Sequence, residues 1–245
     1  MFKVYALTLV LALASFSISA ADQDTPAAAK IRAVLKTRYP NVAIKQIAPA
    51  PMLDLYELVT DAGLAYTDSN ANYLIVGKIL DTKTQEDLTE TRWNELNAID
   101  FDTLPFELAI KFVKGNGKRR LAVFEDPHCP YCRQLENELQ NVSDTTVYVF
   151  LYPLESLHPG ATATSRNIWC AEDRAAAWNN SLLKKEAPPS ATCDSDPLKK
   201  LAILGDKLNI NATPTLFFPD GHRVAGAIPV ARLEKELNSS QAPRK

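Results

Sequence analysis

Residues 121–132 read Leu121-Ala122-Val123-Phe124-Glu125-Asp126-Pro127-His128-Cys129-Pro130-Tyr131-Cys132. An apolar run with strand character leads through a short polar loop into a C-x-x-C that opens a helix. Pro130 between the cysteines suits a first helical turn, where its missing N–H is no loss. Unpaired backbone N–H groups and the helix dipole at that place stabilise a thiolate on the first cysteine. A thiolate attacks a disulfide sulfur and forms a mixed disulfide, which a second nearby thiol can resolve. Cys129 is therefore the expected nucleophile. Cys132, one turn in, is the expected buried resolving residue.

Two other readings compete for this pair. Half of a zinc site would need a second close pair or nearby histidines. Cys170 and Cys193 are too far apart in sequence to supply one, and beyond His128 no fourth ligand is evident. A purely structural disulfide is the other. The strand–loop–helix context favours the redox dithiol, with no metal and no cofactor expected.

The neighbours admit two readings each. A cationic His128 would lower the Cys129 thiol further, or it is an exposed loop histidine without coupling. Glu125 and Asp126 could relay protons to Cys132, or they are solvated loop acids. His158 and His222 fall in expected turns and carry no assigned role. Thr213-Pro214-Thr215 precedes the apolar run Leu216–Phe218. A cis Pro214 would bring its loop against the sulfurs. The Thr213 backbone would then offer strand-like hydrogen bonds to an extended peptide. A trans proline at a strand start is the alternative. Pro130, Tyr131, Thr213, Pro214 and His128 thus join the candidate site as supporting residues.

If Cys129 pairs with Cys132, Cys170 and Cys193 are left for each other. They flank Ala187-Pro188-Pro189, and a bond between them would be worth about 3 kcal/mol in the chain-entropy model. Two free buried thiols are the alternative. Trp169, Trp178 and Tyr152 read as packing residues rather than a binding box.

Composition limits what the rest can be. The chain has 245 residues, 27 Lys+Arg against 29 Asp+Glu, and a formal net charge of −2, which argues against a nucleic-acid binder with a basic surface. Eight glycines are about half the usual share of roughly 7%, and neither G-x-G-x-x-G nor a P-loop occurs. At the N-terminus, Lys3 is followed by an uncharged stretch, residues 4–21, apolar first and then Ser/Ala-rich. This is the pattern of a secretory signal, with cleavage expected near Ala20 or Ala21. A retained anchor is the competing reading, but the stretch is short for a span of ~20 apolar residues. Export would place all four cysteines where disulfides persist.

Residues 22–88 read as one short helix, Ala28–Arg38, followed by a small antiparallel meander over Val42–Ile47, Leu53–Thr60, Leu64–Thr67 and Tyr73–Ile79. A unit of about 60 residues is marginal alone, and a second copy is the simplest partner. Residues 89–104 form a linker with a helix. Residues 105–245 run strand, strand, C-x-x-C helix, strand, helical insertion, hairpin, helix, the order of a thioredoxin-type domain.

Together these residues resemble the periplasmic disulfide isomerases of the DsbC/DsbG family. The most specific stretches are Asp126-Pro127-His128-Cys129-Pro130-Tyr131-Cys132, Ile168-Trp169-Cys170-Ala171 with Cys193-Asp194, and Thr213-Pro214-Thr215. The second cysteine pair is DsbC-like, whereas the central Pro-Tyr is DsbG-like. The resemblance implies an α+β protein with a cystatin-like dimerisation domain, a linker helix and a thioredoxin-like catalytic domain. It implies a V-shaped homodimer that lies in the periplasm and is not membrane-embedded after processing. Its partners would be exported proteins with wrong disulfides and a membrane thiol reductase. Cys129, Cys132 and Pro214 match the family's nucleophile, resolving cysteine and cis proline. Thioredoxin itself has a buried acid six residues before its first cysteine. Val123 stands there in this chain, so the proton acceptor is unassigned. A net oxidase, a holdase chaperone and a reductive protector of single cysteines compete with isomerisation.

Overall fold

The computed structural model describes residues 25–241. The expected export signal, residues 1–21, lies outside the described residues. Two compact units divide at Thr89 and Glu90.

The first unit begins with helix α1, Pro26–Arg38. Thr25 Oγ1 accepts the Ala28 N–H at 3.2 Å, and Pro26 occupies the first turn. Both are residue types that favour a helix start. Ala28, Ile31 and Leu35 recur at helical spacing and are buried. They pack on Ile47, Leu58 and Ala65 of an antiparallel meander. Its strands are β1 (Ile44–Pro49), β2 (Tyr56–Thr60), β3 (Gly63–Thr67) and β4 (Leu74–Ile75), in that spatial order. Thr60 closes the β2–β3 turn, accepting from Ala62 N–H and donating to the Gly63 carbonyl.

The expected fourth strand, 73–79, shrinks to two paired residues, Tyr66 with Ile75 and Thr67 with Leu74. Beyond them the segment has no strand neighbour among the described residues. Tyr73, Leu74, Ile75, Val76 and Leu80 are all exposed. Strand pairing needs a partner as well as a suitable sequence, and this edge has none in its own unit.

Helix α2, Leu88–Leu96, spans the division between units. Glu90 onward belongs to the second unit. The Ile99 N–H donates to the Gly221 carbonyl at 3.0 Å, and Arg232 pairs with Glu90 at 2.8 Å.

The second unit is built on five strands: β5 (Ile110–Val113), β6 (Arg119–Glu125), β7 (Thr145–Leu151), β8 (Thr215–Phe217) and β9 (Arg223–Ala225). Their order is β5-β7-β6-β8-β9. β6 and β7 run parallel and the other pairs antiparallel. Helix α3, Pro130–Leu139, makes the crossover that the parallel pair requires. Helices α4 (Ala161–Trp169), α5 (Arg174–Lys184) and α6 (Asp196–Lys207) form the insertion before β8, and α7 (Val230–Ser239) ends the unit.

β6 is central and buried along most of its length, which matches its near-continuous apolar sequence. Phe124 stacks on Phe150 at 4.8 Å and meets Phe217 edge-on at 5.7 Å. Trp178 is fully enclosed, and Trp169 and Tyr152 are nearly so, so all three are packing residues. The insertion carries one covalent tie, Cys170–Cys193. The Thr213–Pro214 bond is cis.

Candidate functional site

The end of β6, the start of α3 and the loop before β8 converge on two thiols. Cys129 is the N-cap of α3 and Pro130 its first residue. Cys129 and Cys132 are free and buried, with Cys129 at 3% and Cys132 at 0% exposure.

The two sulfurs sit in opposite environments. The Cys129 thiol is lowered to about 5. The hydrogen bond with Cys132 is the largest cause. Burial works against it, while Thr213 and the backbone N–H groups of Cys132 and Tyr131 add to the lowering. A helix start thus supplies the donors, and the cysteine itself occupies the capping position. The Cys132 thiol is raised, first by burial, then by its bond to Cys129 and by the charge of Glu125. The Asp126 N–H, at 3.4 Å from Cys132 Sγ, acts in the other direction. The arrangement therefore favours one thiolate and one thiol at neutral pH.

The loop before β8 faces the first sulfur. Cys129 Sγ donates to the Thr213 carbonyl at 3.2 Å. The Thr213 hydroxyl is enclosed beside it and adds to the lowering of the Cys129 thiol. Pro214 is buried beside it. Tyr131, 62% exposed, and Pro130 face outward.

Glu125 and Asp126 are fully buried, which overturns the reading of them as solvated loop acids. Asp126 is a tie point. Its carboxylate accepts from the His128 N–H at 2.7 Å, the Leu154 N–H at 2.7 Å and His158 Nδ1 at 2.9 Å. Its carbonyl accepts the Cys129 N–H at 3.1 Å. One side chain thus fixes the loop that carries the nucleophile and joins it to the segment after β7. His158, given no role from sequence, is part of this tie.

His128 is exposed and coupled to its surroundings. Its Nε2 lies 2.9 Å from Thr164 Oγ1 on α4. It also helps lower Glu155, whose carboxyl is held at about 2, first by the Thr162 side chain and then by the Gly160 and Thr162 N–H groups.

Sequence reasoning missed Glu136. It lies four residues after Cys132 on the buried face of α3, and Trp178 Nε1 donates to its Oε1 at 2.8 Å. The i, i+4 spacing from a buried cysteine is the signal that could have found it.

The fold and this paired, asymmetric dithiol define a thioredoxin-like thiol:disulfide oxidoreductase. Residues 106–241 match the thioredoxin-like domain family, and residues 20–90 match the disulfide bond isomerase protein N-terminal domain. A probable thiol:disulfide interchange protein DsbC of Bordetella parapertussis is 38% identical over 217 residues, covering 89% of this chain and 76% of that one. The thiol:disulfide interchange protein DsbC of Escherichia coli is 26% identical over 200 residues, 80% of this chain and 81% of that one. The crystal structure of a disulfide interchange protein from Neisseria gonorrhoeae superposes with a TM-score of 0.54 at 39% identity. It covers 56% of this chain and 99% of that one. The chain belongs to the DsbC family of thiol:disulfide interchange proteins.

Proposed function

We propose that this enzyme reduces or isomerises wrongly paired disulfides in exported proteins, working as a periplasmic homodimer after loss of its signal. The observation that carries the reading is the split between the sulfurs, Cys129 lowered to about 5 and Cys132 raised. The Cys129 thiolate attacks one sulfur of a substrate disulfide. A Cys129–substrate bond forms, the substrate S–S bond breaks, and the other substrate sulfur leaves as a thiolate. A different substrate thiolate can then displace Cys129. That gives a new substrate disulfide and regenerates the Cys129 thiolate with no net oxidation. Alternatively Cys132 displaces the substrate, which leaves reduced and with the Cys129–Cys132 pair oxidised. The second route needs an electron donor, and a membrane thiol reductase fits that need.

Thr213 supports substrate binding, since its backbone lies beside the nucleophile and can align an extended peptide. The short, exposed β4 edge supports dimerisation by strand pairing. Outward-facing Tyr131 and Leu157 suit apolar, unfolded substrates. The signal-like residues 4–21 support export.

Refolding of a scrambled-disulfide substrate tests the proposal, comparing the full chain with residues 90–245. Isomerisation that requires the first unit is the expected result. Equal activity of both would refute the dimer role, and activity surviving Cys129→Ala would refute the dithiol mechanism.

A further inference from the structure

Tyr152 packs in the core by its ring, yet its two ends hold two different arms of the site. It follows β7 directly, and its N–H donates at 2.7 Å to the Glu125 carbonyl, where β6 ends. That arm runs on through the loop to Cys129. At the other end, the single hydroxyl proton is shared between the Asp206 carboxylate at 3.1 Å and the Ile210 carbonyl at 3.2 Å. Ile210 is buried, and Asn211 and Ala212 lead from it to Thr213. One residue thus sets the separation between the arm that bears the nucleophile and the arm that bears Thr213.

The surroundings are shaped to that ring and that hydroxyl. The ring meets Phe124 edge-on at 6.0 Å and lies against Gly205 inside α6. A Cβ at Gly205 would stand 2.1 Å from the ring. Glycine is a poor residue inside a helix, so its place there is explained by the ring's close approach. Helix α6 ends on Asn209, which takes a left-handed φ of 52°. The Asn209 and Ile210 N–H groups then donate back to the Asp206 and Gly205 carbonyls at 3.0 and 2.9 Å. Arg223 donates to the Leu208 carbonyl at 2.9 Å, and the Thr215 hydroxyl donates to the Ala212 carbonyl at 2.7 Å. These bonds fix residues 208–212 to α6, β8 and β9. The Tyr152 hydroxyl ties the same segment to the side from which the nucleophile comes. Burial, then the Asp206 carboxylate, pushes this hydroxyl up to about 12, so it stays a donor throughout the neutral range.

We propose that Tyr152 is a positioning residue for thiol–disulfide exchange, its hydroxyl holding the Ile210–Thr213 segment at the spacing that aligns a peptide disulfide on Cys129. This rests on the dithiol mechanism proposed above. Tyr152 acts through Thr213 rather than on either sulfur. The Thr213 carbonyl lies 3.2 Å from Cys129 Sγ, and the same backbone can pair with an extended substrate. Losing the hydroxyl keeps the ring and its packing, but it takes a donor from the Ile210 carbonyl and frees the segment to drift. Two consequences then separate. A peptide substrate loses its alignment. The Cys129 thiol loses part of the lowering that Thr213 gives it and rises from about 5. After a modest rise it is still ionised at neutral pH, and a thiolate of higher pKa is the better nucleophile. A small disulfide with no peptide backbone is therefore not slowed.

Stopped-flow reaction of the reduced full-length protein with a disulfide-linked pair of pentapeptides, and separately with hydroxyethyl disulfide, tests this. Alkylation of Cys129 against pH is measured beside it. At neutral pH, Tyr152→Phe is expected to slow attack on the peptide disulfide by about 10-fold, the upper size of one net hydrogen bond. The hydroxyethyl disulfide rate should stay the same or rise slightly, and the Cys129 alkylation midpoint should move up. A folded variant that keeps the wild-type ratio of the two rates would overturn the proposal, whether both rates hold or both fall. An unmoved midpoint would overturn the route through Thr213. A wild-type protein that attacks neither disulfide would instead refute the dithiol mechanism, and this role with it. If Tyr152→Phe does not fold, carbon-13 NMR of ring-labelled tyrosine in the Cys132→Ser protein decides. The Tyr152 resonance should shift when Cys129 is joined to the peptide and hold when it is joined to mercaptoethanol. The same spectrum in both adducts would overturn the proposal.

Discussion

Cys129 and Cys132 stand as free thiols at the start of α3, while Cys170 and Cys193 are bonded across the helical insertion. Exposure alone would assign their roles the other way round. The free pair is buried, and Cys193 is exposed. What separates the pairs is the chemistry around each sulfur. The first pair has helix-start donors on one side and a buried acid on the other, so its two thiols ionise at very different pH. The second ties the C-terminal end of α4 to the segment before α6, and its contribution lies in restricting the unfolded chain. Reactivity follows from the stabilisation of one ionised state, and a clasp needs only geometry.

The sharpest way to break the contrast is to remove the nucleophile. Cys129→Ser should abolish thiol–disulfide exchange in an insulin-reduction assay while the thermal unfolding of the fold persists. Cys132→Ser should instead hold substrate as a mixed disulfide, visible on non-reducing gels. Removing the clasp is next. Cys170→Ala with Cys193→Ala should lower unfolding free energy by about 3 kcal/mol in denaturant titrations. The alkylation profile of Cys129 should stay as it is, since nothing in the thiol's surroundings comes from the clasp. A changed profile would show that the two pairs are coupled.

Asp126→Asn should have a smaller effect. It removes charge from a carboxylate with three donors, a loss of about 1.5–3 kcal/mol, and it should loosen the loop that presents Cys129. Slower exchange with Cys132 still protected would place the effect in that loop. The smallest change is expected from Glu155→Gln. The Glu155 carboxyl is depressed from 4.5 to about 2. Its contribution is therefore present above the unfolded value and is lost as pH falls toward 2. The variant should be slightly less stable than wild type at neutral pH, and the two should converge as pH falls toward 2.

Much of this architecture was readable in the chain. The bounds of α3 follow from the cysteine cap, Pro130 at the first turn and the apolar positions Leu135 and Leu139. The meander and the central β6 follow from alternation and continuous apolar character. The expected strand at 73–79 was overlong because pairing depends on a neighbour that no local pattern reveals. The site was legible where its signal is local: Cys129, Cys132, and Thr213 beside Pro214. It was not legible at Glu125 and Asp126. At Asp126 the contacts that hold the carboxylate come from residues 154–158 folding over the loop, distant in sequence. Acids next to a turn read as solvated until those elements are in place.

The central claim is that one sulfur of the dithiol is a thiolate at neutral pH and the other is not. Iodoacetamide alkylation of the reduced wild-type protein, followed by peptide mass mapping at each pH, measures both sulfurs at once. Half-maximal modification of Cys129 near pH 5, with Cys132 unmodified through neutral pH, is the predicted result. A Cys129 midpoint near the ordinary thiol value of about 8.5, or equal modification of the two cysteines, would contradict it.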